Sequence, residues 1–267
     1  MSSPDAALRM RRHVVGMAAS PEGTHAGGSL SCVDILAVLY FDVLRLRPEE
    51  PNWPERDRFV LSKGHASAAL YAALAERGFI EPAELATYGR PGGRLGGHPT
   101  TAVPGVEMGT GSLGHGLSLG AGMALAARWD RHMSRTFVLL GDGELQEGSV
   151  WEAAMFASQQ RLGSLVAVVD RNHWQQSGRT EDIVGLEPLA DRFRAFGWDC
   201  VDVDGHDIAA LRAALSPLRP DTGPPCVVIA RTTKGRGVGF LQDRRESHYA
   251  RLSPRLLARA LSSLVRP

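Results

Sequence analysis

A doubly wound parallel α/β sheet with helices on both faces is the fold this sequence predicts, and two stretches predict it. The first runs from Arg135 to Asn172, RTFVLLGDGELQEGSVWEAAMFASQQRLGSLVAVVDRN. In it, apolar runs at 136–140 and 165–169 flank a segment, 147–161, whose apolar residues Val150, Ala153, Ala154 and Ala157 recur at helical spacing. Short β-branched-rich runs without alternation read as parallel strands buried on both faces. A crossover between such strands is right-handed, so both end at one carboxyl edge and deliver Asp142 and Asn172 to one crevice. The second stretch is the strand at 58–62, RFVLS, followed by Lys63-Gly64-His65 and a helix over 66–77. It repeats the order strand, turn, helix, and sets His65 at the same edge.

The remaining elements follow in chain order. Residues 5–19 form an amphipathic helix, with Leu8, Val14, Val15 and Ala18 opposite an arginine face and His13 as a surface or packing residue. The glycine-rich stretch from Gly23 to Ser31 reads as a loop that presents His25 at the start of an apolar helix over 33–44. That is a suitable place for an anion or polar ligand, and equally a place where a histidine meets only water. A short helix at 81–88 precedes an irregular stretch, 89–104, that holds Gly96-Gly97-His98-Pro99; structureless loops of this length tend to be functional or disordered. Gly109-Thr110-Gly111-Ser112-Leu113-Gly114 matches G-x-G-x-x-G, but almost no strand precedes it and Asp130 closes a helix, so a dinucleotide site fails its own context. The Gly- and Ala-rich helix at 117–128 suits close approach to another helix or another protomer, or tight packing in the core. Further on come a helix ending at 192–196, strands at 200–203 and 226–230 with a helix at 207–218 between them, and a final helix at 253–265. His206 stands at the start of one helix, His248 precedes the last, and Lys234 is assigned to solvent.

At 267 residues the chain can bury one good-sized core and demands no second domain. A formal charge of +1 gives no electrostatic case for nucleic acid or membrane surfaces. Cys32, Cys200 and Cys226 are far apart and lack C-x-x-C spacing, which suggests neither a disulfide framework nor a zinc site. Residues 1–20 carry Asp5, Arg9, Arg11 and Arg12 in place of an apolar leader, and no apolar run approaches membrane length, so the expected location is the cytoplasm.

The chemistry centres on Gly141-Asp142-Gly143 and Asn172. A carboxylate and a carboxamide oxygen are hard ligands of the kind Mg²⁺ or Ca²⁺ prefers, and the two glycines let a diphosphate approach bare backbone N–H groups. Two protein oxygens alone hold Mg²⁺ poorly, so a phosphorylated cofactor is expected to complete the shell. The plainer reading is a strand-to-helix turn with Asp142 as helix cap.

Gly-Asp-Gly, a crossover helix, then Asn after a strand resembles the thiamine-diphosphate motif, and GDGELQEGSVWEAAMFA resembles its transketolase version. Further transketolase-like segments follow in the family's order along nearly the whole chain. LSKGHASAALY implies that His65 contacts the cofactor diphosphate. GTHAGGSLS implies His25 near the reactive thiazolium carbon, with Ala26 where a proline is usual. GGHPT implies that His98 meets the sugar, with Thr100 in place of an acidic residue, and Arg90 and Arg94 nearby are phosphate candidates. GTGSLGHG implies that Gly111, Ser112 and Leu113 cradle thiamine. The same resemblance implies Mg²⁺ bound by Asp142, Asn172 and the main-chain carbonyl of Trp174, diphosphate contacts from Gly143 and Asn172, and Glu147 at a subunit contact. KGRGVGFLQDRRESHY implies a last active-site histidine, His248, with Ser247 and Tyr249 where Trp and Gly are common.

A complete transketolase has a second domain that binds the aminopyrimidine and supplies an activating glutamate, and this chain ends before one begins. The resemblance therefore implies the N-terminal subunit of a split transketolase: one thiamine-diphosphate/Mg²⁺-binding domain over 1–267, inactive alone. A C-terminal, pyrimidine-binding partner subunit would complete it in an α2β2 heterotetramer acting on small-molecule sugars. The implied reaction moves a two-carbon ketol unit from a ketose, as a sugar phosphate, to an aldehyde, with His25, His98 and His248 as catalytic residues. A deoxyxylulose-phosphate synthase or a 2-oxoacid dehydrogenase α subunit would share the Gly-Asp-Gly unit, but the loops around His25, His65 and His98 favour the sugar-handling branch. A non-catalytic scaffold subunit is disfavoured by retention of both metal-binding side chains.

Overall fold

Strands β1 (Arg58–Leu61), β2 (Thr136–Gly141), β3 (Leu165–Arg171), β4 (Asp199–Asp204) and β5 (Cys226–Arg231) form one parallel sheet in the order β1-β2-β3-β5-β4. The structure is a computed structural model that describes residues 1–219 and 221–264. In the central pair Thr136 stands beside Leu165 and Gly141 beside Asp170, so β2 and β3 run level to their carboxyl ends. All six residues of β2 and all seven of β3 are buried, as expected of strands covered on both sides.

The strands' side chains divide between two cores. Phe137 and Leu139 of β2, with Val166 and Val168 of β3, face a core built by α1 (Ser3–Ala18), α2 (Ala26–Ser31), α3 (Val33–Val38) and α4 (Ser67–Arg77), together with later helices α9 (Ile208–Leu215) and α10 (Pro254–Ser263). Val138 and Leu140, with Ala167 and Val169, face α5 (Gly116–Trp129), α6 (Gly148–Gln159) and α8 (Leu189–Ala195). A short helix, α7 (Thr180–Ile183), lies in the loop before α8. The topology explains the division. Chain progress from β1 through β2 and β3 to β4 goes one way across the sheet, so right-handed crossovers lay α5, α6 and α8 on one face; the return from β4 to β5 lays α9 on the other. The predicted doubly wound architecture is the one observed.

The elements depart from expectation in a few places. The stretch expected as a loop before residue 33 is helical from Ala26 to Ser31, and every residue of that helix is buried. Glycine has poor helical propensity, but here small residues let α2 sink against its neighbours: a Cβ on Gly27 would lie 2.5 Å from Ser247 Oγ. The helix over 33–44 is interrupted, since α3 passes into a π turn at Leu39–Val43. The start of α9 is capped by Asp207, which accepts from the N–H groups of Ala209 (2.9 Å) and Ala210 (3.0 Å), whereas His206 points elsewhere. The last helix ends at Ser263, and Val265 lies outside the described residues. Residues 88–115 carry neither helix nor strand, so the irregular stretch expected at 89–104 is observed and runs on to residue 115. Among the described residues no helix is long and apolar enough to cross a membrane.

Candidate active site

The carboxyl ends of β1, β2, β3 and β5 open on a cleft of about 430 Å³. Asp142 follows β2 directly and is buried. Its Oδ1 accepts from Gly143 N–H (2.9 Å), and its Oδ2 accepts from His173 N–H (2.6 Å) and from Arg171 Nη1 (2.9 Å). Asn172, just past β3, donates from Nδ2 to Asp170 Oδ2 (3.2 Å), which orients the amide, and its Oδ1 accepts from Trp174 N–H (3.1 Å). His173 adopts φ 67°, and this left-handed step turns its N–H back towards Asp142. The expected pair of oxygen ligands therefore stands at adjacent strand tips, joined through one main-chain hydrogen bond. Burial raises the pKa of Asp142, with Asp170 adding to the rise and Arg171 opposing it. A divalent cation would reverse that balance, so a buried pair of hard oxygens fits Mg²⁺. A Cβ at Gly143 would lie 2.8 Å from Gln175 Cβ, so the glycine keeps this wall of the cleft bare backbone.

Two lysines supply positive charge. Lys63 Nζ donates to Gly28 O (2.9 Å) and pairs with Asp170, and both side chains are almost wholly buried. Asp170 also accepts from Ser31 Oγ (2.5 Å) and Thr232 Oγ1. Charge inside a strand buried on both faces is tolerated because both oxygens of Asp170 find donors. Lys234 corrects an expectation: far from reaching solvent, it is 1% exposed and lines the cleft, with Nζ 3.2 Å from His248 Nδ1 and 3.5 Å from Gln175 O. The loop curls inward because Gly235 N–H donates to Gly27 O (2.9 Å) and Asp243 N–H to Lys234 O (2.9 Å). Burial, helped by the charge of Lys63, lowers the Lys234 pKa to about 8.

Histidines form the outer part of the site. The His25 ring lies 5.3 Å from His65, 5.3 Å from His248 and 6.0 Å from His98, between ring centres. Burial is the main cause that lowers His25 to about 4 and His248 to about 3, and it takes His65 well below the ordinary value. These three are neutral at pH 7 and act as hydrogen-bonding groups without charge. The Nδ1 of His25 and the Oε1 of Gln175, both on residues that line the cleft, are buried without hydrogen-bond partners in the protein, so each can meet a ligand held there.

His25, His65, Gly111, Leu113, Asp142, Gly143, Asn172, Trp174 and His248 all line this cleft. His98 and Ser112 instead line the adjoining depression with Gly111, where a Cβ on Gly111 would lie 3.1 Å from His98 Cδ2. Glu147 lines the cleft as well. Arg94 is taken up by Glu84 at 2.5 and 2.7 Å, and Arg90 is exposed. Three structural residues escaped the sequence reading. Asp170 and Arg171 stood in plain view as charges within a buried strand. Glu144 accepts from Gly114 N–H (2.9 Å), Gly141 N–H (3.0 Å) and Ser62 Oγ, tying the loop that carries Gly111 to Leu113 to the Gly-Asp-Gly turn.

Residues 5–260 match the family described as transketolase, thiamine diphosphate binding domain. The chain belongs to the transketolase family. It is 44% identical over 239 residues to an apulose-4-phosphate transketolase subunit of Phocaeicola vulgatus, covering 90% of this chain and 85% of that protein. It is 43% identical over 241 residues to the 6-deoxy-6-sulfo-D-fructose transketolase subunit SqwG of a Clostridium species, covering 90% and 88%. Among solved structures, the transketolase of Pichia stipitis superimposes with a TM-score of 0.90 at 33% identity over 97% of this chain. That of Campylobacter jejuni does so with a TM-score of 0.91 at 31% identity over 98%. This family member spans only 40% and 42% of those two solved chains.

Proposed function

We propose that this chain is the N-terminal subunit of a split transketolase, which moves a two-carbon ketol unit from a ketose, as a sugar phosphate, to an aldehyde. The observation that carries the reading is the cleft itself: an oxygen pair, bare glycine backbone, a buried lysine and neutral histidines meet at one edge of the sheet. Relatives named as transketolase subunits align over most of their own length, whereas the solved transketolases extend well beyond the match. This supports a pyrimidine-binding partner chain, in a heterotetramer of two copies of each. The cytoplasm, where phosphorylated sugars are held, is the proposed setting.

In this reading Asp142, Asn172 and the main-chain carbonyl of Trp174 hold Mg²⁺. Gly143, Asn172, His65 and Lys234 meet the diphosphate, and Gly111, Ser112 and Leu113 cradle the rings. When bound, thiamine diphosphate supplies the carbon nucleophile that receives the ketol unit and passes it on. His25, His98 and His248 orient sugar hydroxyls, and the neutral His25 and His248 can each take or give a proton at a ring nitrogen.

The test combines this chain with its partner, Mg²⁺ and thiamine diphosphate, and follows ketol transfer from a ketose phosphate to an aldehyde. Asp142→Ala and Asn172→Ala are each expected to lower activity by more than the roughly 10–100-fold that outer-shell partners of a metal cost. Transfer that persists in both variants, or that needs no thiamine diphosphate, would overturn the reading.

A further inference from the structure

We propose that His206 is a positioning residue for cofactor binding, fixing the main chain that carries Lys234 into the cleft; this rests on the functional reading above. His206 sits in the turn between β4 and α9, outside the cleft. Its Nε2 accepts from Thr233 N–H at 2.8 Å, and its Nδ1 lies 2.8 Å from Asp34 Oδ2. Because Nε2 faces an amide N–H, the ring proton is on Nδ1 and donates to Asp34. Asp34, on α3, also accepts from Arg11 Nη2 at 2.5 Å. Burial opposes ionisation of this carboxylate, but the bonds from His206 and Arg11 hold its pKa below the usual value. The ring is thus fixed from behind and offers one lone pair in one direction.

Where that lone pair points gives the residue its role. Thr232 N–H donates to Arg171 O (3.1 Å), Thr233 N–H to His206, and Gly235 N–H to Gly27 O (2.9 Å). The first of these bonds extends the sheet and the last joins α2, the helix that His25 opens. Between them, the bond from His206 ties the N–H of the residue directly before Lys234 to a separate segment of the chain. A lysine side chain is long and rotamer-rich, so its ammonium is placed well only if its backbone is placed first. His206 therefore acts through Lys234, and the cofactor is not expected to touch it.

A double-mutant cycle tests this. Thiamine diphosphate is titrated by calorimetry, at fixed Mg²⁺, into the complex of this chain with its partner, for His206→Ala, Lys234→Met and the double variant. His206→Ala is expected to weaken binding about tenfold, which corresponds to about 1.4 kcal/mol. The double variant is expected to bind no more weakly than Lys234→Met alone, with kcat at saturating cofactor within about twofold of that single variant. His206→Gln keeps an acceptor for Thr233 N–H and is expected to recover most of the lost affinity; if His206→Ala does not fold, Asp34→Ala, which removes the acceptor of the ring N–H, takes its place in the cycle. Additive losses, or a lowered Tm with unchanged affinity, would overturn the role of His206. If the unmutated complex binds no thiamine diphosphate, the functional reading falls first, so the two failures are distinguishable.

Discussion

Lys234 is the residue whose protonation can be read most directly. Its pKa, lowered from 10.5 to about 8 by burial and by the charge of Lys63, means that the cleft holds the ammonium at a cost. A bound diphosphate favours the charged form. Cofactor affinity is therefore expected to be full below about pH 8 and to fall by up to tenfold per unit above it, a loss that Lys234→Met abolishes by starting low and staying flat. Calorimetric titration on both sides of pH 8 checks this, and a flat wild-type profile would show that the ammonium does not face the ligand. For the unliganded fold the sign is opposite, because a lysine with a depressed pKa gains stability as pH rises from about 8 towards 10.5. The histidines supply a second titration. His25 near 4 and His248 near 3 favour the neutral ring, so their contribution is complete above pH 6.5 and is lost as pH falls towards those values. NMR titration of the ring protons should find no midpoint near 6.5 for either; one found there would mean that water reaches the cluster freely. His25, His65 and His98 were legible in the sequence because each stands in a glycine-containing turn or loop beside a recognisable element, whereas His248 was implied only by the family resemblance of its segment. Lys234 was misread because a lysine after a strand usually finds water, and only the inward curl of its loop says otherwise.

At the scale of the element, α2 shows what a sequence conceals. Its glycines argue against a helix by propensity, yet they are what let the helix be buried at the site. Gly28 comes within reach of both His65 Nε2 (3.2 Å) and Lys63 Nζ (3.6 Å) for a notional Cβ, and Gly27 comes closer still to Ser247, at 2.5 Å from Oγ and 2.7 Å from the main-chain oxygen. Gly27→Ala is thus expected to overpack the contact between the His25 and His248 segments and to lower stability by about 1–3 kcal/mol, read as a drop in Tm, with activity lost alongside. An unchanged Tm would mean that the segment around Ser247 gives way at little cost. Propensity and spacing found β1, β2, β3, α4 and α6 because those elements obey local rules. They could not find α2, which is helical for a tertiary reason. Nor could they assign Asp170, whose value lies in partners from three other segments: Ser31, Lys63 and Thr232.

For the molecule as a whole, the sheet's edge decides what the chain can do alone. Successive crossovers bring the ends of β1, β2, β3 and β5 together, and every cation and oxygen ligand of the proposed cofactor site comes from those ends or the loops behind them. That gathering was legible from two strand-turn-helix units, whereas the placing of β5 between β3 and β4 was not, since strand order beyond the repeated unit leaves no mark in local sequence. The solved transketolases devote more than half their length to parts that this chain does not match. If the glutamate that activates the cofactor resides there, this chain alone should hold diphosphate yet transfer nothing, and activity should rise with added partner until the two are equimolar. Assaying ketol transfer across a partner titration, with light scattering to follow the mass, checks both halves of that expectation. Full activity from this chain by itself would require an activating carboxylate within the cleft. Glu144 is poorly suited to that role, because Gly114 N–H, Gly141 N–H and Ser62 already engage its two oxygens. Glu147 would then be the group to substitute next.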